Sequence, residues 1–339
     1  MGEKHNYAID LWRFILIVWV VLFHYTANPD FVGILPNFPY KFSNGAFIGV
    51  SMFFVLSGFF MGRTIVNGQF TNLTEWFKYC VKRYLRFYPS YILAVIVIFL
   101  WLRFIKMPGF TVSVKTLAIN LLLIIHPRVE YVDGAHWFLA ELLLMQFATV
   151  LLLYIPKRYR EFVVLLAFIV CYSMYSYADY LQKPPSFLTF FMTCEVKLLL
   201  GLLVYLAVTT KSMKSIVYSL FMGLAICLSI NGDNLGFNYL EFMVLILIVL
   251  SLVINIRFPL KIQPIIQYLG DFSLMWYLVH QVIGYSILYN FIPNGECNEF
   301  YVLIPIIVTI IIAIILNKIS GYISINKWLN RKYDETTIK

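Results

Sequence analysis

The chain has 339 residues, 61% of them hydrophobic and only 13% charged, with a net charge of +9 and a mean hydropathy of +0.81. So little polar surface cannot clothe a water-soluble globule of this length, and the composition predicts an all-α, polytopic membrane helix bundle. The positive balance reads as the basic bias of cytoplasmic loops, not as a nucleic-acid surface. The 5 cysteines show no C-x-x-C spacing, so neither a metal site nor a disulfide framework is expected.

Ten stretches are apolar and long enough, or nearly so, to cross a bilayer: 8–26, 45–62, 88–106, 136–155, 161–178, 189–208, 215–230, 239–256, 268–290 and 300–320. An eleventh apolar run, 116–125, spans only about ten residues before His126-Pro127 and is predicted to be a re-entrant or interfacial helix. The first stretch carries Arg13 and His24, and no small-x-small cleavage site follows it. It therefore reads as a retained span, not a signal peptide. With the N-terminus in the cytoplasm, about three times as many basic residues fall on cytoplasmic segments as on outer ones. The clusters Lys78–Arg86 and Lys157–Arg160 account for much of that bias. The expected protein sits in the cell membrane with both termini inside. A transmembrane domain occupies 1–326 and a short polar tail 327–339.

Arg13 and His24 are eleven residues apart, three helical turns plus about 20°, so they share one helix face about 16 Å apart along the axis. An ionisable group facing lipid costs several kcal/mol, so this stripe must face protein or water. Asp10, three residues before Arg13, is its nearest potential ion partner. Arg83 and Arg86 lie three apart just before the third stretch and point the same way on a helix. Their planar forks suit phosphate, although ordinary anchoring to lipid headgroups is the simpler alternative. His24 is a candidate general base. Ser57-Gly58 supplies small residues inside the second stretch, either for close helix packing or as room for a substrate chain. Glu141, His280, Glu195 and Lys197 are further intramembrane polar groups. The outer segment 126–136 is polar and reads as a solvated loop able to meet a substrate.

These residues fall into an ordered set of motifs. Arg13 and His24 form Arg-x10-His, and residues 53–59 read FFVLSGF. Arg83-Tyr84-Leu85-Arg86 is followed by Pro89, and Trp137 precedes Glu141 by four. Leu269, Gly270, Ser273, Tyr277, Leu278 and His280 close the series. In this the chain resembles the acyltransferase-3 family of membrane acyltransferases, which includes bacterial O-acetyltransferases of surface polysaccharides. It departs at Leu274, where the family often has an aromatic residue.

The resemblance implies transfer of an acyl group, commonly acetyl, from cytoplasmic acyl-CoA to a hydroxyl of a glycan or its lipid-linked precursor. Acetyl-CoA would be a donor substrate, with no permanently bound cofactor. Arg13, Arg83 and Arg86 would hold the CoA phosphates, with Ser57 and Gly58 along the path of the acyl arm. His24 would act as general base or acyl carrier, oriented by Glu141. Asp10, Trp137, Tyr277 and His280 are further candidates. Some members carry an additional extracytoplasmic domain of the SGNH type. No such domain is evident here, so transfer is expected to finish in the membrane domain or to use a separate extracytoplasmic partner. A secondary transporter or flippase is the alternative from another class. It is disfavoured by the lack of inverted repeats. A non-catalytic scaffold has no need of buried arginine and histidine.

Overall fold

The computed structural model describes residues 5–28, 36, 38–107, 110–122, 130–180, 187–210, 217, 235–254, 256–292 and 298–323. The predicted span 215–230 lies outside the described residues except for Val217, and the tail 327–339 lies wholly outside them. Regular structure among the described residues is helical. The helices are α1 Tyr7–Thr26, α2 Gly45–Asn67, α3 Leu73–Phe104, α4 Val114–Leu121, α5 Trp137–Thr149, α6 Lys157–Tyr180, α7 Phe187–Thr210, α8 Leu235–Val253, α9 Gln263–Phe291 and α10 Leu303–Ile323. Short 3₁₀ turns at Gly134–His136 and Val150–Tyr154 extend α5 at both ends, and another at Glu299–Val302 leads into α10.

Five of these segments, among the described residues, are long and apolar enough to cross a membrane: Tyr7–Thr26, Gly45–Asn67, Leu73–Phe104, Gly134–Tyr154 and Glu299–Ile323. α4 has only eight residues, with Ser113 as its N-cap. This is too short to cross a bilayer, as the sequence suggested for that run. The third span begins earlier than its apolar stretch. α3 is 32 residues long with Pro89 inside it, so Arg83 and Arg86 sit within the helix and not in a loop before it. At 1.5 Å per residue such a helix is about 48 Å long, well beyond a hydrocarbon core of about 30 Å. The charged segment before Pro89 is the part left over.

α10 is arranged inside out relative to a soluble helix. Its buried residues are Pro305, Thr309, Ala313, Leu316 and Ser320, a stripe at helical spacing that includes both hydroxyls. Its exposed face carries Ile304, Ile307, Ile311, Ile315 and Ile319. Water does not favour that exchange, whereas lipid does. α6 has a similar exposed stripe of Phe162, Leu166, Ile169 and Met174. α9 is the opposite case: every residue from Met275 to Leu288 is buried. It therefore tolerates Ser273, His280, Gln281 and Ser286, because none of them meets lipid.

The chain divides into two compact units, each assembled from separated segments. The first comprises 1–20, 44–76 and 141–270. Here α2 and α7 pack along each other at backbone distance. A methyl group on Gly58 would meet Leu198 O at 1.9 Å, and one on Gly201 would meet Val55 O at 1.8 Å. Gly49 plays the same part against α1, where a methyl would meet Leu16 O at 2.9 Å. In the same unit Arg160, which the sequence places in a basic cluster on a cytoplasmic segment, is buried. It donates to the carbonyls of Ile65, Gly68, Leu153 and Ile155 and to Gln69. It thereby satisfies carbonyls at the end of α2 that have no partner inside the helix.

The second unit comprises 21–43, 77–140 and 271–339. Trp101 Nε1 donates to Ser286 Oγ at 2.6 Å, tying α3 to α9, and Ser90 pairs with Ser320 at 2.8 Å, tying α3 to α10. Trp276 Nε1 donates to Thr309 Oγ1 at 3.1 Å. The described part of the segment expected to be a solvated loop is instead folded inward: Val132, Asp133, Ala135 and His136 are all buried.

The glycine contacts in the first unit predict that Gly201→Val forces α2 and α7 apart. We expect a stability loss of at least about 1–3 kcal/mol, read as a lower melting temperature of the purified protein. Gly321→Val should leave it nearly unchanged, because among the described residues a methyl there meets no atom within 4 Å outside its own stretch of helix.

Candidate active site

His24 lies near the end of α1, and its ring meets four groups of the second unit. Nδ1 is 2.7 Å from Tyr285 Oη, 3.3 Å from Asn28 Nδ2 and 3.5 Å from Gln281 Nε2. Asn28 Nδ2 also donates to Tyr285 Oη at 2.6 Å. The His280 ring lies 5.1 Å from that of His24, centroid to centroid. Amide nitrogens only donate, so Asn28 holds the phenol oxygen in place. Tyr285 can donate to a bare Nδ1, the arrangement in which the two amide nitrogens can donate to it as well, or accept from Nδ1–H, with the amides then donating to the phenol oxygen alone. In the second arrangement the Nε2 lone pair is free to take a proton from a hydroxyl.

The rest of the second unit holds this arrangement to α9. Tyr25 Oη donates to the His280 carbonyl at 2.7 Å and lies where a methyl on Gly284 would stand, 2.2 Å away. His280 Nδ1–H donates to Tyr277 O at 2.7 Å, which leaves its lone pair on Nε2. That atom is buried with no hydrogen-bond partner among the described residues. His136 Nε2–H donates to Leu278 O at 2.9 Å, and Asp133 Oδ2 accepts from Val282 N–H at 3.0 Å. Residues 278 and 282 are hydrogen-bonded to each other in a regular helix. The turn of α9 beside His280 is therefore held by side chains from outside it. Tyr277 Oη donates to Ala135 O at 2.6 Å, which fixes the 3₁₀ turn that carries His136.

The remaining candidates distribute as follows. In the first unit, Asp10 accepts from His5 and lies 3.6 Å from Arg13, so the local partner of Arg13 suggested by the sequence is present. Gly270 packs on Asp10, where a methyl would meet its Cβ at 2.5 Å. Gly58 sits at the α2–α7 contact described above, and Ser57 beside it is half-buried. Glu141 is buried, and its Oε2 has no hydrogen-bond partner among the described residues. In the second unit, Arg83 Nε donates to Tyr79 Oη at 2.9 Å, Arg86 is exposed, and Trp137 is half-buried at the start of α5.

The structure thus joins His24 with His280, and His280 with Tyr277 at 5.5 Å between ring centroids. It adds Tyr285, Asn28, Gln281, Asp133 and His136, which the sequence reading did not single out. A signal for two of them was available. Tyr277, Gln281, Tyr285 and Tyr289 recur every four residues on α9, a slowly winding polar stripe on one helix side.

Lys197 and Glu195, the two remaining polar residues singled out above, also find partners in the first unit. Lys197 lies 3.7 Å from Glu241 and donates to Ser51 Oγ, which in turn donates to Glu241. Glu195 accepts from Thr149 Oγ1 at 2.6 Å.

An apolar helical protein with a histidine pair set among phenol and amide groups has the equipment for proton transfer at a hydroxyl. An acyltransferase needs such equipment. A family model described as an acyltransferase domain, the acyltransferase-3 model, matches residues 6–318. The chain belongs to that family and is a membrane acyltransferase. No curated protein and no solved structure matches it.

The Lys197–Glu241 pair yields a prediction about stability. Lys197→Met strands the Glu241 carboxylate and should cost about 3–5 kcal/mol, whereas Lys197→Met with Glu241→Leu should recover most of that loss. Melting temperatures of the two variants decide it. A double variant no better than the single one would show that the pair is not coupled.

Proposed function

We propose that the protein transfers an acyl group, acetyl in the first instance, from cytoplasmic acyl-CoA to a hydroxyl of a cell-surface glycan or its lipid-linked precursor. The protein would lie in the cell membrane with about ten spans and both termini inside. The observation that carries this reading is His24: a polar ring buttressed by Tyr285, Asn28 and His280, three turns after Arg13 on one unbroken helix.

Arg13, Arg83 and Arg86 are assigned to the CoA phosphates. Arg86 is exposed on α3, and Arg83 donates through Nε to Tyr79; planar guanidinium forks of this kind suit oxyanions. Ser57 and Gly58 are assigned to the acyl path. His24 Nε2 takes the proton of the acceptor hydroxyl as its oxygen attacks the thioester carbonyl. The thiolate leaves and is reprotonated, giving one ester and free CoA thiol. Tyr285 supports the imidazolium through Nδ1–H. Glu141, a buried carboxylate with an unused oxygen, is assigned as a second acid–base group, and His280 supports His24. Acylation of His24 itself, followed by transfer to the hydroxyl, is the other route open to the same ring. Asp10 tunes Arg13, while Trp137 and Tyr277 shape the surroundings. No metal enters either route. A separate extracytoplasmic protein is a possible recipient or partner.

The test is transfer from radiolabelled acetyl-CoA in membrane vesicles. His24→Ala and Arg13→Ala are expected to insert normally and lose transfer, by two orders of magnitude or more for His24 as an acid–base group contributing about 10²–10⁴-fold. Full acetylation by His24→Ala would remove the assignment. Label crossing sealed vesicles without ester formation would point to a transporter. Tyr285→Phe should retain acetyl-CoA binding and lower turnover about tenfold, the worth of a hydrogen bond to a charged group. Equal turnover in wild type and Tyr285→Phe would show that the phenol does not support the imidazolium.

A further inference from the structure

The stripe on α9 continues past the histidine site. Tyr289 lies four residues beyond Tyr285, about 6 Å further along the helix axis, and it lines an open cavity of about 590 Å³ in the second unit. Another wall is the end of α3, with Phe99 and Arg103, and the segment beyond it contributes Lys106 and Phe110. The walls are held in register by two bonds: Trp101 to Ser286, described above, and Asn290 Nδ2 donating to Lys106 O at 3.1 Å.

Two features give this cavity a chemistry. Its charges are Arg103 and Lys106, with no carboxylate among the lining residues. The Arg103 guanidinium stacks over Phe99 at 4.7 Å and, among the described residues, makes one long bond of 3.3 Å to Val112 O, through a single nitrogen. Three aromatic residues, Phe99, Phe110 and Tyr289, line the cavity beside those cations. Rings suit the apolar face of a sugar, while a planar guanidinium and an ammonium suit a phosphate oxyanion.

We propose that this cavity is the acceptor subsite and that it selects a sugar linked to a phosphate, such as the sugar of a polyprenyl-phosphate glycolipid. The inference rests on His24 as the transfer residue, since only that assignment makes a cavity one turn beyond Tyr285 an acceptor site. The phosphate binds between Arg103 and Lys106, the sugar lies against Tyr289 and Phe110, and a ring hydroxyl is directed along α9 towards Tyr285 and His24.

The experiment measures binding, not turnover, in the His24→Ala variant. Its failure therefore leaves the transfer assay above untouched as the judge of His24. The protein is placed in phosphatidylcholine nanodiscs and titrated with three probes: a short-chain polyprenyl phosphoglucose, the uncharged polyprenyl glucoside of the same length, and phosphatidylglycerol. The expected result is about tenfold tighter binding of the phosphoglucose than of either other probe, the scale of two partly exposed ion pairs. Arg103→Gln with Lys106→Gln should erase that preference, and Tyr289→Ala should weaken both sugar probes together. Arg103 and Lys106 are exposed, so the double variant should keep the melting temperature of the parent. Phosphatidylglycerol binding as tightly as the phosphoglucose would make the cavity a lipid-headgroup anchor and overturn the proposal. A preference that survives the double variant, or no preference at all, would overturn it as well.

Discussion

In a hydrocarbon surrounding, every polar group must be answered from within the protein, and most of this structure follows from that constraint. α9 shows it most fully. Along its buried stretch the backbone groups of Leu278, His280 and Val282 are met by His136, Tyr25 and Asp133, and the hydroxyls of Tyr285 and Ser286 by Asn28 and Trp101. α10 obeys the same constraint from the other side by turning its isoleucines outward and its Thr309 and Ser320 inward.

Close backbone approach is the second consequence. Polar side chains are short relative to the distances between bulky helices, so the helices must come near to one another. Glycine makes this feasible at each place where it matters: Gly58 and Gly201 between α2 and α7, Gly270 beside Asp10, and Gly284 beside Tyr25. The glycines of the family motifs are thus explained by packing. At Gly58 in particular, the missing side chain is what lets the Leu198 carbonyl of α7 approach α2.

The histidine centre combines both effects. His24 would be a liability on an isolated apolar helix. With Tyr285 and Asn28 at Nδ1 and His280 beside it, it has a defined orientation and a partner able to serve two protonation states. The same α9 stripe that supplies Tyr285 continues to Tyr289 in the charged, aromatic cavity. One helix therefore links the groups around His24 to the cavity proposed above for the acceptor.

The ordered motifs carried the family. The composition and the spacing of apolar runs alone determined the helical, membrane-type architecture and the non-spanning helix in the run that begins at Thr116. These are properties of local periodicity and hydropathy, which each segment carries by itself. Asp10 as a neighbour of Arg13 was legible for the same reason, being one turn away on the same helix. The partners of His24 were not, because Tyr285 and His280 lie more than 250 residues further along the chain and only packing brings them to α1. Nor did polarity reveal that Asp133, His136 and Arg160 are buried. A charged residue reads as exposed until the tertiary structure supplies the backbone groups that make its burial favourable.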